Sequence, residues 1–356
     1  MTIVATMKAV VLIGHGGPEM LQWREDIPVP VPGANEVLVQ VSAAGMNNTD
    51  INTRIGWYAP EVTGATDQTV DQEVESGGWD GALQFPRIQG GDLCGRIVAV
   101  GNDVDMAIGT RVTAPLCLPR PTLDNPVGLK VIGSEMDGAF AQYCVLEARD
   151  VFDVRASPLS DVEIAAIPCA YGTAEGLLMR AGVRKGQNVL ITGASGGVGM
   201  AAVQLACLRG AVVTAITSPA KAEAVRAAGA SHILERGAVP QKASYDVAID
   251  VVGGDSFGDL IRALRPGGHY AVSGAIAGPI VAADLREIYL PDITLHGSTY
   301  QPPEVFERLV KLMNEGAFRP LVSRTYPLRD IGRAQTDFMS KTLPGKLVLI
   351  PPQEGA

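Results

Sequence analysis

The chain has 356 residues, 47% of them hydrophobic, and a formal net charge of −9. That length accommodates two domains with buried cores, and the acidic balance argues against nucleic acid or an anionic membrane surface as a partner. No apolar run is long enough to span a bilayer and the opening residues carry no signal-peptide pattern, so a cytoplasmic location is expected.

Taken in chain order, residues 1–157 carry short apolar runs broken by Gly and Pro: MKAVVLI, EVLVQVSAAG, GRIVAVG, RVTAPL and AFAQYCVL. These predict a β-rich domain. Residues 59–84, acidic and rich in Gly, Thr and Asp, predict a long loop or insertion within it. From 158 to 300 strand and helix signals alternate. The predicted strands are 189–192, 212–216, 232–234, 247–251, 269–272 and 293–297, with helices in AKAEAVRAAGA and FGDLIRALRPGG between them. This is the pattern of a doubly wound α/β domain. Residues 301–356 add a helix over 303–316, with Pro at its start and Gly at its stop, and a closing strand, KLVLI.

The most informative stretch is NVLITGASGGVGMAAVQLACLRG. A β-branched run stops at Gly193, and the turn Ala194, Ser195, Gly196, Gly197, Val198, Gly199 opens a run with helical spacing. Such a strand–turn–helix unit brings backbone close to a pyrophosphate and offers it free N–H groups at a helix N-terminus. An NAD site would place an Asp or Glu about 20 residues after the turn, to accept from the ribose 2′-hydroxyl. Here the second strand ends in Thr217, Ser218, Pro219, Ala220 and Lys221, with no carboxylate before Glu223. Two small donors and a cation suit a 2′-phosphate, so NADP(H) is the expected cofactor.

The segments GGPEML at 16–21, AAGMNNTD at 43–50, Gly90-Gly91-Asp92, GRIVAVG at 95–101, the glycine turn and the closing GKLVLI occur in that order. Together they resemble the medium-chain dehydrogenase/reductase superfamily, and within it the zinc-independent quinone oxidoreductase (zeta-crystallin-like) branch. The resemblance implies a GroES-like catalytic domain made from both chain ends and a central Rossmann domain. It also implies a homodimer or homotetramer built through the cofactor domains, with 293–297 near the sheet edge. Thr173 resembles a threonine beside the nicotinamide ribose, and Lys346 a lysine at the cofactor cleft, although a solvated strand start is an equal reading of Lys346. Ser273, Gly274 and Ser298 follow late strands, whose C-terminal ends line the ligand crevice in such sheets.

Zinc-dependent relatives carry a Cys in the segment here written GMNNTD, a His in the segment written GGD, and a further Cys or Asp nearer the cofactor. Met46, Asn47 and Asn48 fill the first and Gly90-Gly91-Asp92 the second; Cys169 alone matches the third. One thiolate cannot replace the three protein ligands of a catalytic zinc, so no metal is expected. The five cysteines are scattered, without a C-x-x-C pair, and read as reduced thiols. The four histidines show no metal-like spacing.

The expected chemistry is NADPH-dependent reduction of an activated C=C bond in a small apolar enone or quinone, which needs hydrogen-bond donors for the carbonyl oxygen and a proton source. The resemblance puts Asn47 and Asp50 in the cleft and Tyr58 near the nicotinamide, with Asn52 where a tyrosine is commoner, which makes Tyr58 the favoured donor. Asn47 and Asp50 are also good helix-capping residues. Trp57, Trp79 and Phe85 flank the 59–84 insertion and either roof an apolar substrate beneath a mobile flap or anchor the loop. The alternatives are a carbonyl reductase or alcohol dehydrogenase of the same superfamily, and an NADPH-binding protein without turnover.

Overall fold

The computed structural model describes residues 4–66, 79 and 83–353. Most of the 59–84 insertion, and with it the expected flap, lies outside the described residues. The chain forms two compact units: Met1–Val62, Thr69–Cys169 and Pro302–Ala356 make the first, Thr63–Gln68 and Ala170–Gln301 the second.

The first unit is a β-rich domain. Its largest sheet runs in the order Phe152–Asp153, Arg111–Thr113, Asp92–Val100, Glu36–Gly45, Lys346–Ile350, Val322–Pro327, with Tyr143–Glu147 also paired to Glu36–Gly45. Val37, Leu38, Val39 and Val41 of the strand Glu36–Gly45 are buried, and Ile97, Phe140, Leu146, Leu347 and Leu349 pack in the same core. Register positions the chemistry. Gly45 pairs with Asp92 on one side and with Val348 on the other. The amide of Met46 then donates to the carbonyl of Leu347. Asn47, Asp92 and Lys346 are thereby drawn to one end of three adjacent strands. Gly45 has no alternative residue there, because a side chain would run into the Ala165 carbonyl.

The second unit is a sheet of parallel strands in the order His232–Glu235, Val212–Thr217, Asn188–Ile191, Tyr245–Asp250, Leu264–Val272, Thr294–Gly297. Numbered along the chain this is 3-2-1-4-5-6, the Rossmann order. Apolar residues including Leu190, Ala248, Leu260, Ile261 and Tyr270 form a core within it. One boundary differs from the sequence reading. Arg265, Pro266, Gly267 and Gly268 read as a helix tail and stop, yet they belong to the strand Leu264–Val272. The helix Phe257–Ala263 passes into that strand directly, and Gly267 takes a φ of +76° on the way.

The helix Asn48–Ile55 starts where Glu36–Gly45 leaves its sheet. Its N-terminus is capped by Asp50, whose Oδ2 accepts the Asn47 amide at 2.7 Å. The cap is buried, and burial pushes the Asp50 carboxyl up to about 7, against the opposing pull of the Asn47 amide. A carboxyl raised in the folded state binds its proton more tightly there than in the unfolded chain, so stability is greatest in acid and falls as pH rises toward 7. Asp50→Asn keeps an acceptor for the amide and removes the ionisation. Its thermal stability should gain on the parent by about 3 kcal/mol between about pH 5 and about pH 8. Parallel melting curves across that range that never diverge would show that Asp50 ionises freely.

Candidate functional site

In the first unit the Lys346 ammonium, 4% exposed, sits 3.0 Å from Asp92 Oδ2 and also donates to Asn47 Oδ1. The other oxygen of Asp92, a fully buried residue, accepts the backbone amide of Cys169 at 2.7 Å. Asp50 holds its own helix cap, and the carbonyl of Asp50 accepts from Gln89 Nε2 at 2.9 Å. Lys346 is therefore neither solvated nor a simple strand start: it neutralises a buried carboxylate.

The sequence groups Cys169 with a vanished ligand set. The structure packs it with Leu116, Cys117 and Val131. Burial first, then Asp92, push its thiol well above the ordinary range. A thiol that resists ionisation, a carboxylate with both oxygens engaged and an ammonium ion form a poor donor set for a divalent cation. Among the described residues no group of three His, Cys, Asp or Glu side chains could hold a metal ion. Two histidines that spacing left unconnected do meet: His269 Nδ1 lies 2.9 Å from His296 Nε2 on neighbouring strands. Burial, then His269, lower the pKa of His296.

Beside this cluster is a hydroxyl and indole set. Tyr58 donates to Thr49 Oγ1 at 3.1 Å, and Trp79 Nε1 donates to the same oxygen at 2.8 Å. The rings of Trp57, Tyr58 and Trp79 follow one another with centroids 5.5 Å apart, the first pair edge-to-face at 76° and the second tilted at 58°. Burial pushes the Tyr58 hydroxyl up to about 12, so it is protonated at neutral pH. Thr49 is a residue that sequence reasoning passed over. Its oxygen accepts twice, which leaves its own hydrogen for a third partner. The signal was present in Asn47-Asn48-Thr49-Asp50, but only the fold shows two donors converging on that hydroxyl. Asn52 bonds Asn48 Nδ2 at 2.9 Å. His15 lies against the last carbonyls of the same helix, Thr53 O at 3.0 Å, and edge-on to Phe85 at 4.9 Å. Phe85 and His15 thus brace the helix that carries Thr49.

In the second unit the strand Asn188–Ile191 leads through Gly193, at a φ of +55°, into the helix Gly197–Leu208. Ala194 is fully buried, its amide bonded to the Ile216 carbonyl at 3.2 Å, and Ser195 is buried beside it. Gly196 is exposed and Gly197 and Val198 are half-buried. The amide of Met200 makes a helical bond to Gly196, and the amides ahead of it have no intrahelical acceptor. Among the described residues no side chain caps this helix end. Gly199 packs so closely that a Cβ would collide with the Gly193 carbonyl. This geometry can receive a diphosphate.

At the end of the adjoining strand the Thr217 hydroxyl is buried without a hydrogen-bond partner among the described residues. Ser218 and Lys221 follow it, half-buried. Burial, then the nearby Arg236, lower the Lys221 pKa. Arg236 was not singled out from sequence. It follows the edge strand His232–Glu235, where Glu235 pairs with Thr217, and its amide donates to the Thr217 carbonyl at 3.1 Å. Two cations and two hydroxyls thus gather at one strand end. Ser273 and Gly274 follow the strand Leu264–Val272; the Ser273 amide donates to the Asp250 carbonyl at 3.2 Å, and Gly274 has a φ of +151°. Ser298 is buried, its amide bonded to the Val272 carbonyl at 3.0 Å. Thr173 is half-buried on the helix Pro168–Arg180.

Comparison with known proteins agrees with this geometry. Residues 33–156 match the alcohol dehydrogenase GroES-like domain family, and residues 197–315 match the zinc-binding dehydrogenase family. A crystal structure of a putative alcohol dehydrogenase from Sinorhizobium meliloti 1021 is 44% identical, covers 98% of each chain and superposes with a TM-score of 0.88. The acryloyl-coenzyme A reductase of Sulfurisphaera tokodaii is 26% identical over 97% of this chain and 100% of its own. The quinone oxidoreductase of Lama guanicoe is 28% identical over 97% of both. With the glycine turn, the Rossmann strand order and the GroES-like sheet all in place, the chain belongs to the medium-chain dehydrogenase/reductase superfamily of oxidoreductases.

Proposed function

We propose that the protein is an NADPH-dependent, zinc-independent reductase of activated C=C bonds in small apolar enones or quinones. The observation that carries this reading is the buried Lys346–Asp92 pair, which puts an ammonium ion among residues that would otherwise be metal donors. Alcohol oxidation without a Lewis acid lacks a partner for the alkoxide, whereas conjugate reduction needs only hydrogen-bond donors and a proton. Bound in reduced form, the nicotinamide supplies a hydride to the β-carbon. Thr49 then gives its hydroxyl proton to the α-carbon and regains one along the hydrogen bond from Tyr58. The phenol, held protonated by burial, is matched to a basic, enolate-like acceptor and is refilled from solvent. The names of relatives that reduce acryloyl-coenzyme A and quinones support this class of acceptor.

The 44% identity to a putative alcohol dehydrogenase favours a second reading, metal-assisted carbonyl or alcohol chemistry. Elemental analysis separates the two. The purified protein should contain far less than one zinc per chain, and chelators should leave reduction of an enone and quinone panel intact. About one zinc per chain, with activity lost on chelation, would promote the second reading. Absence of any turnover across the panel would remove the first.

The neighbouring cations Lys221 and Arg236, with the Thr217 hydroxyl that has no partner among the described residues, support NADP(H) over NAD(H). Lys221→Glu and Arg236→Glu should each weaken NADPH by roughly 1–3 kcal/mol, the scale of a charge-assisted hydrogen bond, and leave NADH nearly unchanged. Fluorescence titration reads both; equal affinities for the two cofactors in the parent protein would defeat the assignment.

Five thiols, none in a disulfide among the described residues, suit a reducing cytoplasm. The outermost strand Thr294–Gly297, with its exposed Leu295, and the exposed Tyr289 and Leu290 ahead of it suit edge-to-edge association of two copies. Light scattering should therefore report a homodimer, and Leu295→Lys should shift it toward monomer. A monomeric parent would exclude this assembly.

A further inference from the structure

The bonding of Asn47 has a direction that its position in the sequence does not reveal. An ammonium group has only donors, so Lys346 can bond the amide of Asn47 through Oδ1 alone. The amide is planar, and fixing its oxygen on Lys346 turns its NH₂ away. That nitrogen is buried and has no hydrogen-bond partner among the described residues, although Asn47 is only 6% exposed. A buried donor without an acceptor is costly, and such groups in folded proteins are otherwise satisfied. Lys346 is itself held by Asp92, whose other oxygen is held by the Cys169 amide, so the amide has no freedom to invert.

We infer that Asn47 Nδ2 is the hydrogen-bond donor for the substrate's carbonyl oxygen, and that Lys346 is a positioning residue that holds the Asn47 amide in the donating orientation. The inference rests on the enone reduction proposed above and assigns one of its parts. As hydride adds to the β-carbon, electron density moves from the C=C bond onto the carbonyl oxygen. The N–H of Asn47 then bonds a developing enolate oxygen more strongly than it bonds the ground-state ketone. No proton leaves the amide, and the α-carbon proton comes from the Thr49–Tyr58 pair. Donation to charge that develops only in the transition state predicts an effect on kcat more than on KM.

Asn47→Asp is nearly isosteric and keeps an acceptor for Lys346 but has no NH₂. For a cyclic enone it should lower kcat by about 100–1,000-fold, with NADPH affinity unchanged. Lys346→Met should lower kcat in the same direction, and Lys346→Arg, which retains donors for both Asn47 and Asp92, should recover part of it. Infrared spectra of a ¹³C=O-labelled enone bound to the protein with NADP⁺, where no turnover occurs, should show the carbonyl stretch moved to lower frequency in the parent and returned toward its solution value in Asn47→Asp. Folded content of each variant is read from its melting curve. The inference is overturned if Asn47→Asp keeps the parent's kcat, if the carbonyl stretch is the same in parent and variant, or if the variant loses NADPH affinity in place of kcat, which would assign the NH₂ to the cofactor. A parent protein that binds the labelled carbonyl through Asn47 but reduces no enone would uphold the donor and refute the reaction, so the two failures are distinct.

Discussion

The buried pair of Lys346 and Asp92 is the constraint on which the first unit's chemistry depends. Its members lie more than 250 residues apart in the chain (Nζ to Oδ2, 3.0 Å), and both are buried. A buried ion pair holds only when each remaining lone pair and proton is satisfied. Here the Cys169 amide takes the second carboxylate oxygen and Asn47 takes a second ammonium proton. Removing either charge would strand the other in a low-dielectric interior, at a cost of about 3–5 kcal/mol. The pair therefore fixes three strands and one helix start in mutual register, and it sets the electrostatic character of the cluster before any ligand arrives.

The second unit solves a comparable problem with hydroxyls. Asp250, fully buried at the end of its strand, accepts from the hydroxyls of Thr192 and Tyr270 at 2.6 Å each and from the amides of Val252 and Gly253. Thr192 in turn accepts the Val251 amide at 3.1 Å. This network ties together the ends of three neighbouring strands just where the glycine turn begins. A loop that must present bare backbone to a charged ligand cannot be stabilised by its own side chains. It borrows rigidity from the saturated carboxylate next to it.

Local signals carried most of the fold. The β-branched runs and glycine stops marked the Rossmann strands to within a few residues, because a parallel strand buried on both faces must be continuously apolar. KLVLI was equally plain as a strand. What it pairs with was not, since nothing in five residues encodes a partner near position 45. For the same reason a solvated strand start was an equal reading of Lys346: its burial follows from a long-range register. Arg236 was invisible because it closes an edge strand of ordinary, half-exposed residues. Thr49 stood inside a segment that was singled out, yet its importance comes from Trp79, thirty residues on and beyond the reach of any local pattern. Leu264–Gly268 misled because Pro and Gly usually end an element, and here they open one.

The central place of the closing strand Lys346–Ile350 in the first unit's sheet has a consequence for synthesis. Its pairing partner Glu36–Gly45 leaves the ribosome roughly 300 residues earlier, an interval of about 15–60 s at ordinary elongation rates of about 5–20 residues per second. Throughout that time the Ala44–Gly45 end of the strand lacks its partner on one edge, although Tyr143–Glu147 can already pair with Glu36–Gln40, and the apolar side chains that Leu347 and Leu349 will cover stay wet. The second unit is drawn almost wholly from one continuous stretch, 170–301, and can close while translation continues. The nascent chain thus acquires its nucleotide-type fold first and carries an unfinished β domain until Lys346–Ile350 emerges. That interval is when the protein has most need of a chaperone.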